Sequence, residues 1–123
     1  MALTLKKRNS YTWPVTIIIP VDGGHKEKST FDVEFKRLTQ TRISEIRKLA
    51  RKMEIGAIDD DEMLEDQEAA KEIILGWDGV VDEENKEIKF SEKRLNDLLD
   101  IPTVAGQIVK AWFDSLETAK RKN

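Results

Sequence analysis

Residues 15–36 read VTIIIPVDGGHKEKSTFDVEFK, and this stretch decides the fold. Its second half alternates cleanly. Phe31, Val33 and Phe35 fall on one face, and Asp32, Glu34 and Lys36 on the other. Period-two alternation of this kind marks a strand with one buried and one wet side. Its first half is a β-branched run bounded by Pro14 and Pro20, again a strand. Between them, Asp22 to Ser29 reads as a charged, glycine-containing loop. The two strands are expected to pair as an antiparallel hairpin over 15–36. Val15, Ile17 and Ile19 share one face, while Ile18 points the other way. Either another part of the chain covers Ile18, or it is an apolar contact for a partner.

Working outward, residues 1–14 lack periodicity and read as a flexible arm, leaving 15–123 as one globular domain. Downstream the apolar period changes to that of helices. Thr39 or Thr41 caps a first helix over about 41–54, with Ile43, Ile46, Leu49, Ala50 and Met53 on its stripe. Gly56 ends it. Asp59 to Glu62 opens a second helix over about 60–76, whose stripe runs from Met63 through Gln67, Ala70 and Ile74 to Trp77. Ser91 caps a short third helix over 91–99, with Leu95, Leu98 and Leu99 inward. A fourth runs over 101–120, with Pro102 in its first turn and Lys120, Arg121 and Lys122 at its C-terminal end. The expected class is α+β: an N-terminal antiparallel hairpin packed on about four helices, with a small β-like connector between the second and third.

That connector, Leu75 to Ser91, is LGWDGVVDEENKEIKFS. Its carboxylates invite a calcium reading, but the spacing fails. From Asp78, the third ligand position is Val80, the sixth is Glu83 rather than Gly, and the twelfth is Lys89 rather than Glu. The segment reads instead as a structural joint built on Trp77, Gly79, Ile88 and Phe90. Gly79 breaks the second helix, and Ser91 restarts the helical chain.

Composition limits the chemistry. There is no cysteine, so disulfides and thiolate zinc sites are excluded. His25 is the only histidine, and neither a nucleophile-elbow serine nor a phosphate-cradling glycine motif occurs. No enzyme activity, metal or cofactor is expected. The longest apolar run is interrupted by Pro20 and is far short of the roughly 20 residues that span a bilayer. With 37% charged residues and a net charge of −3, neither a membrane nor nucleic acid is an expected partner.

The charges are unevenly placed. Between Lys36 and Lys52 there are seven basic residues and one acid; between Asp59 and Glu72 there are eight acids and one base. Either the two helices pair within one chain, or opposite poles drive self-association through Arg47, Lys48 and Arg51 against Asp61, Glu65 and Glu68. A third reading sends the basic helix to a nucleic-acid backbone, against the repulsion of its acidic neighbour. On the last helix, Trp112 and Phe113 are adjacent, about 100° apart. Either they share one wide core stripe, or Phe113 and Val109 form a second strip that binds a partner.

Taken together, these words resemble the tail assembly chaperones of long-tailed bacteriophages. The resemblance rests on Phe31, Phe35, Lys36, Leu38 and Thr39; on Trp77, Gly79, Val80, Asp82, Phe90, Ser91, Leu95, Leu98 and Leu99; and on Pro102, Val104, Ala105 and Ile108. It spans roughly residues 15 to 115. One departure stands at the turn before Ile88, where the family often has Gly and this chain has Glu83-Glu84-Asn85-Lys86. Asn85 can take the left-handed conformation that such a turn needs. The resemblance implies a non-catalytic, oligomeric assembly factor in the host bacterial cytoplasm. It implies that the factor binds the tape measure protein, helps recruit tail tube protein and is absent from the finished virion. In many such phages a longer frameshifted form accompanies the short one, an implied further partner. Ile18, Val109 and Phe113 are the expected client contacts. The alternatives are a structural tail or head–tail connector protein, or a small nucleic-acid-binding regulator.

Overall fold

In the computed structural model, residues 9–54, 56 and 60–121 are described, apart from the side chains of 49, 50, 53, 54, 60–66 and 118–121. The expected N-terminal arm therefore lies mostly outside the described residues. So do the apolar stripe positions Leu49, Ala50, Met53, Met63 and Ala119, and the self-association candidates Asp61 and Glu65.

The elements are β1 (Ser10–Val21), β2 (His25–Lys36), α1 (Gln40–Glu54), α2 (Asp60–Ile73), β3 (Ile74–Asp78), α3 (Glu92–Leu99) and α4 (Val104–Arg121). The α+β class and the hairpin expected from the sequence are both present. The sheet is antiparallel in the order β1-β2-β3, with Val33 of the central strand between Trp13 and Trp77.

Both hairpin strands are longer than the alternation suggests. β1 starts at Ser10, inside the stretch read as an arm, and passes through Pro14. Proline is tolerated there because of the strand's position. Ile18 turns its N–H and C=O away from β2, toward the side chain of Gln107. In an antiparallel ladder every second residue does the same. Pro14 and Pro20 lie an even number of residues from Ile18, so the N–H each lacks would have faced the free edge. The expected loop over 22–29 shrinks to a tight turn at Asp22–Gly24, where Gly23 and Gly24 take φ of 79° and 77°. His25 to Ser29 extend β2 without an apolar face, which is why they read as loop.

One face of the sheet carries the core. Val15, Val33 and Phe35 are fully buried beneath α2 and α4, together with Ile73, Val104, Ile108 and Trp112. The opposite face is open and polar: Thr16 hydrogen bonds Thr30 across the pair, and Ser10 donates to Glu34.

The largest difference from the sequence reading is at the end of α2. The helix expected to reach residue 76 stops at Ile73, and Ile74–Asp78 joins the free edge of β2 as β3. Trp77 therefore pairs with Val33 and does not extend the helical stripe. Ile-Leu-Gly-Trp fits both periods. Gly76 costs about 1 kcal/mol inside a helix, and the bare β2 edge offers its backbone partners in a strand. α4 starts at Val104, three residues later than expected, because the chain from Leu98 to Val104 turns through Ile101. Other local signals are as expected. Thr39 accepts from the Arg42 N–H at 3.2 Å, Ser91 accepts from Arg94 at 3.2 Å, and Asn85 takes a φ of 65°.

Candidate partner-binding surface

The free edge of β1 runs beside α4. Gln107 of α4 donates from Nε2 to the Ile18 carbonyl at 2.9 Å and accepts from the Ile18 N–H at 2.8 Å. Its amide thus stands where a neighbouring strand would. With Pro14 and Pro20, which offer no N–H, it interrupts the ladder that this edge could form, which discourages strand-to-strand aggregation. A shallow groove of about 360 Å³ follows the seam, walled by Trp13, Pro14 and Ile18 on one side and Ala111 on the other, with Lys110 and Asp114 at its rim. Ile18 is 38% exposed, so the described chain covers its side chain only in part. Of the three residues read as client contacts, it is the one the fold leaves available.

Val109 is not available. It is 4% exposed and belongs to the core, as does Trp112 beside it. Phe113 is half-buried, its ring 4.9 Å from that of Trp112, with the Arg47 guanidinium 5.6 Å from its centroid. The second apolar strip on α4 is therefore part of a wide core-facing stripe: α2 packs on α4, Val109 is buried in the core, and Arg47 of α1 lies over Phe113.

The charged helices meet within the chain. Arg42 of α1 reaches Glu72 of α2 through Nε and Nη2, with contacts of 2.7–3.0 Å, and Glu45 through Nη1 at 2.7 Å. These bonds raise the Arg42 pKa further above its ordinary value. The pair is exposed enough that it is worth about 0–1 kcal/mol. It sets the approach of two helices more than it stabilises them. Arg47, Lys48, Arg51 and Glu68 are exposed, and the fold brings none of the first three against Glu68 in a described ion pair.

The joint is built as a clasp. Trp77 Nε1 donates to the Ile88 carbonyl at 2.9 Å, its half-buried ring meets Phe90 edge-on at 5.1 Å, and the Ile88 N–H donates to Val80 O at 2.8 Å. The small connector is a single bridge, Val81 to Glu87, closed by Asp82, whose carboxylate accepts from the N–H groups of Glu84 and Lys86. Gly79 takes a φ of 91° against Phe31, a conformation that strains any other residue. Its role is to turn the chain off β3, not to end a helix. Among the described residues, no three His, Cys, Asp or Glu side chains converge as metal ligands. No helix among them is long and apolar enough to cross a membrane.

Sequence reasoning missed two features. Trp13 and Gln107 carried no periodic signal, because one lay in the presumed arm and the other on a polar helix face. The second is a hydroxyl relay. Ser115, 4% exposed, donates to the Trp112 carbonyl at 2.6 Å, so Tyr11 donates to Ser115 at 2.7 Å. Burial raises the Tyr11 pKa above its ordinary value near 10, opposed by Arg37 stacked 4.8 Å over the ring. The fold thus favours the neutral phenol. That contribution to stability is complete below pH 10 and is lost as pH rises through the folded-state pKa. Tyr11→Phe should lower stability by about 1 kcal/mol at neutral pH. The gap to the native chain, read from urea midpoints, should narrow above pH 10.

A family model described as YdaY prophage protein matches residues 28–120, from β2 into the last turn of α4. No curated protein and no solved structure matches the chain.

Proposed function

The chain belongs to the YdaY prophage protein family, and from that premise we propose that it is a tail assembly chaperone, without enzymatic activity or cofactor. In this reading it acts in the host cytoplasm, holds the tape measure protein soluble and helps recruit tail tube protein. The observation that carries the proposal is the groove between β1 and α4, where Ile18, Trp13 and Ala111 present apolar surface beside a strand edge already closed by Gln107. Such a groove suits the apolar face of a helix better than an added strand, because Gln107 occupies the Ile18 backbone groups and Pro14 and Pro20 lack donors. The word pattern shared with tail chaperones, from Phe31 to Ile108, supports the same role.

Co-expression with a tape measure protein from the same prophage tests this. The native chain should keep that protein in the soluble fraction and co-purify with it. Ile18→Asp should lose most of the retained client while melting within a few degrees of the native chain, since the side chain is already exposed. Equal retention by Ile18→Asp, or none by the native chain, would refute the reading. Mass spectrometry of purified particles separates the chaperone, which is absent, from a connector that stays in the virion.

A further inference from the structure

The hairpin outruns the helices that cover it. Ile17, Ile19 and Val21 project from one face of β1, yet Ile17 is buried, Ile19 half-buried and Val21 44% exposed. Facing this uncovered end is a second cleft of about 250 Å³. Val80 and Val81 of the joint, Leu98 of α3 and Val104 of α4 line it together with Ile17 and Ile19. Val81 is 47% exposed. Ile19, Val80 and Leu98 are each half-buried, so with Val81 they leave one apolar opening. Beside it runs the acidic turn of the joint. Between Asp78 and Glu87 stand five exposed carboxylates against one lysine, Lys86, which already pairs with Glu84.

The occupant that fits is apolar at one end and cationic at the other. The chain carries such a segment. Residues 1–8, outside the described residues, read MALTLKKR: Leu3 and Leu5 two apart, then Lys6, Lys7 and Arg8. The segment cannot place both leucines in its own cleft. At about 3.3 Å per strand residue, Ile17 and Ile19 lie roughly 23–30 Å from Ser10; a fully extended chain reaches about 25 Å at Leu3 but only about 18 Å at Leu5. We infer that the cleft receives Met1–Arg8 of a second copy, with Leu3 and Leu5 against Val81 and Ile19 and the three cations over the acidic turn. The contact is heterologous, arm to cleft, so each copy offers one of each and copies link head to tail. This is a different self-association from opposite poles on α1 and α2.

Sedimentation of the purified chain alone tests the inference, independently of any client. The mean mass of the full chain should rise with concentration, and less so at high salt, where the three cations are screened. Deleting residues 2–8 should leave a monomer, and so should Val81→Asp. Mixing those two variants should restore a one-to-one dimer and nothing larger, because one retains only the cleft and the other only the arm. Should Val81→Asp melt early, charge reversal on the exposed acidic turn, Glu83→Lys with Glu84→Lys, serves as the second cleft variant. A full chain that stays monomeric, an arm-deleted chain that still associates, or a mixture that stays monomeric would each overturn the inference.

Discussion

Trp112→Ala is expected to remove about 3–5 kcal/mol of stability, which is a large part of the roughly 5–15 kcal/mol that holds a domain of this size together. Trp112 is 1% exposed and is the largest fully buried side chain. It stands on α4, packs with the core formed by α2 and the sheet, and touches the ring of Phe113. Truncation forfeits the transfer of the indole from water and leaves a cavity that rigid neighbours cannot close. Val33, Ile73 and Ile108 in the same core are fully buried and already packed. The backbone carbonyl of Trp112 also accepts from Ser115, and through it the Tyr11 relay joins β1 to α4. Loosening this turn of α4 therefore slackens the seam with β1. Urea unfolding followed by circular dichroism measures the loss. A change under 1 kcal/mol would mean that the ring is not in the core.

Val33→Asp is the second large effect, expected to exceed about 4 kcal/mol and to prevent folding at neutral pH. Val33 is fully buried on the central strand, flanked by Trp13 and Trp77. A carboxylate there exchanges water for aromatic and aliphatic neighbours. Burial would raise its pKa, so whatever fold survives should be least unstable at acid pH, where the group is neutral. The neighbouring Asp32 is exposed on the open face of the same strand. Asp32→Val should therefore be nearly silent in the same unfolding experiment. The contrast between adjacent positions tests the register of the sheet, since a slip of one residue would exchange the two outcomes.

How legible each feature was depends on how far its cause lies along the chain. The alternation from Phe31 to Phe35, the caps at Thr39 and Ser91 and the left-handed Asn85 all depend on residues within a few positions, and each is found where the sequence placed it. β3 was misread because its strand partners, Asp32 to Phe35, lie about forty residues away. Within Ile74 to Asp78 only Gly76 leans against helix, by about 1 kcal/mol, too little to decide between a last turn and an edge strand. The partner surface was legible only in part. Ile18 stood out because it broke the alternation of β1. Val109 was given the wrong role, since the width of the buried stripe on α4 depends on how closely α1 and α2 approach.

By itself, the sequence determined that this chain is an α+β domain with a hairpin first, capped helices after it, no thiol chemistry and a structural joint from Trp77 to Phe90. These follow from local backbone preference and from the period of apolar residues. Only the tertiary structure decided that Pro14 and Pro20 stand on an outer edge, that Gln107 bonds that edge across 89 residues, and that Ile19, Val81 and Leu98 open onto one cleft. Exposure is a property of what packs nearby, and the residues that pack here come from opposite ends of the chain.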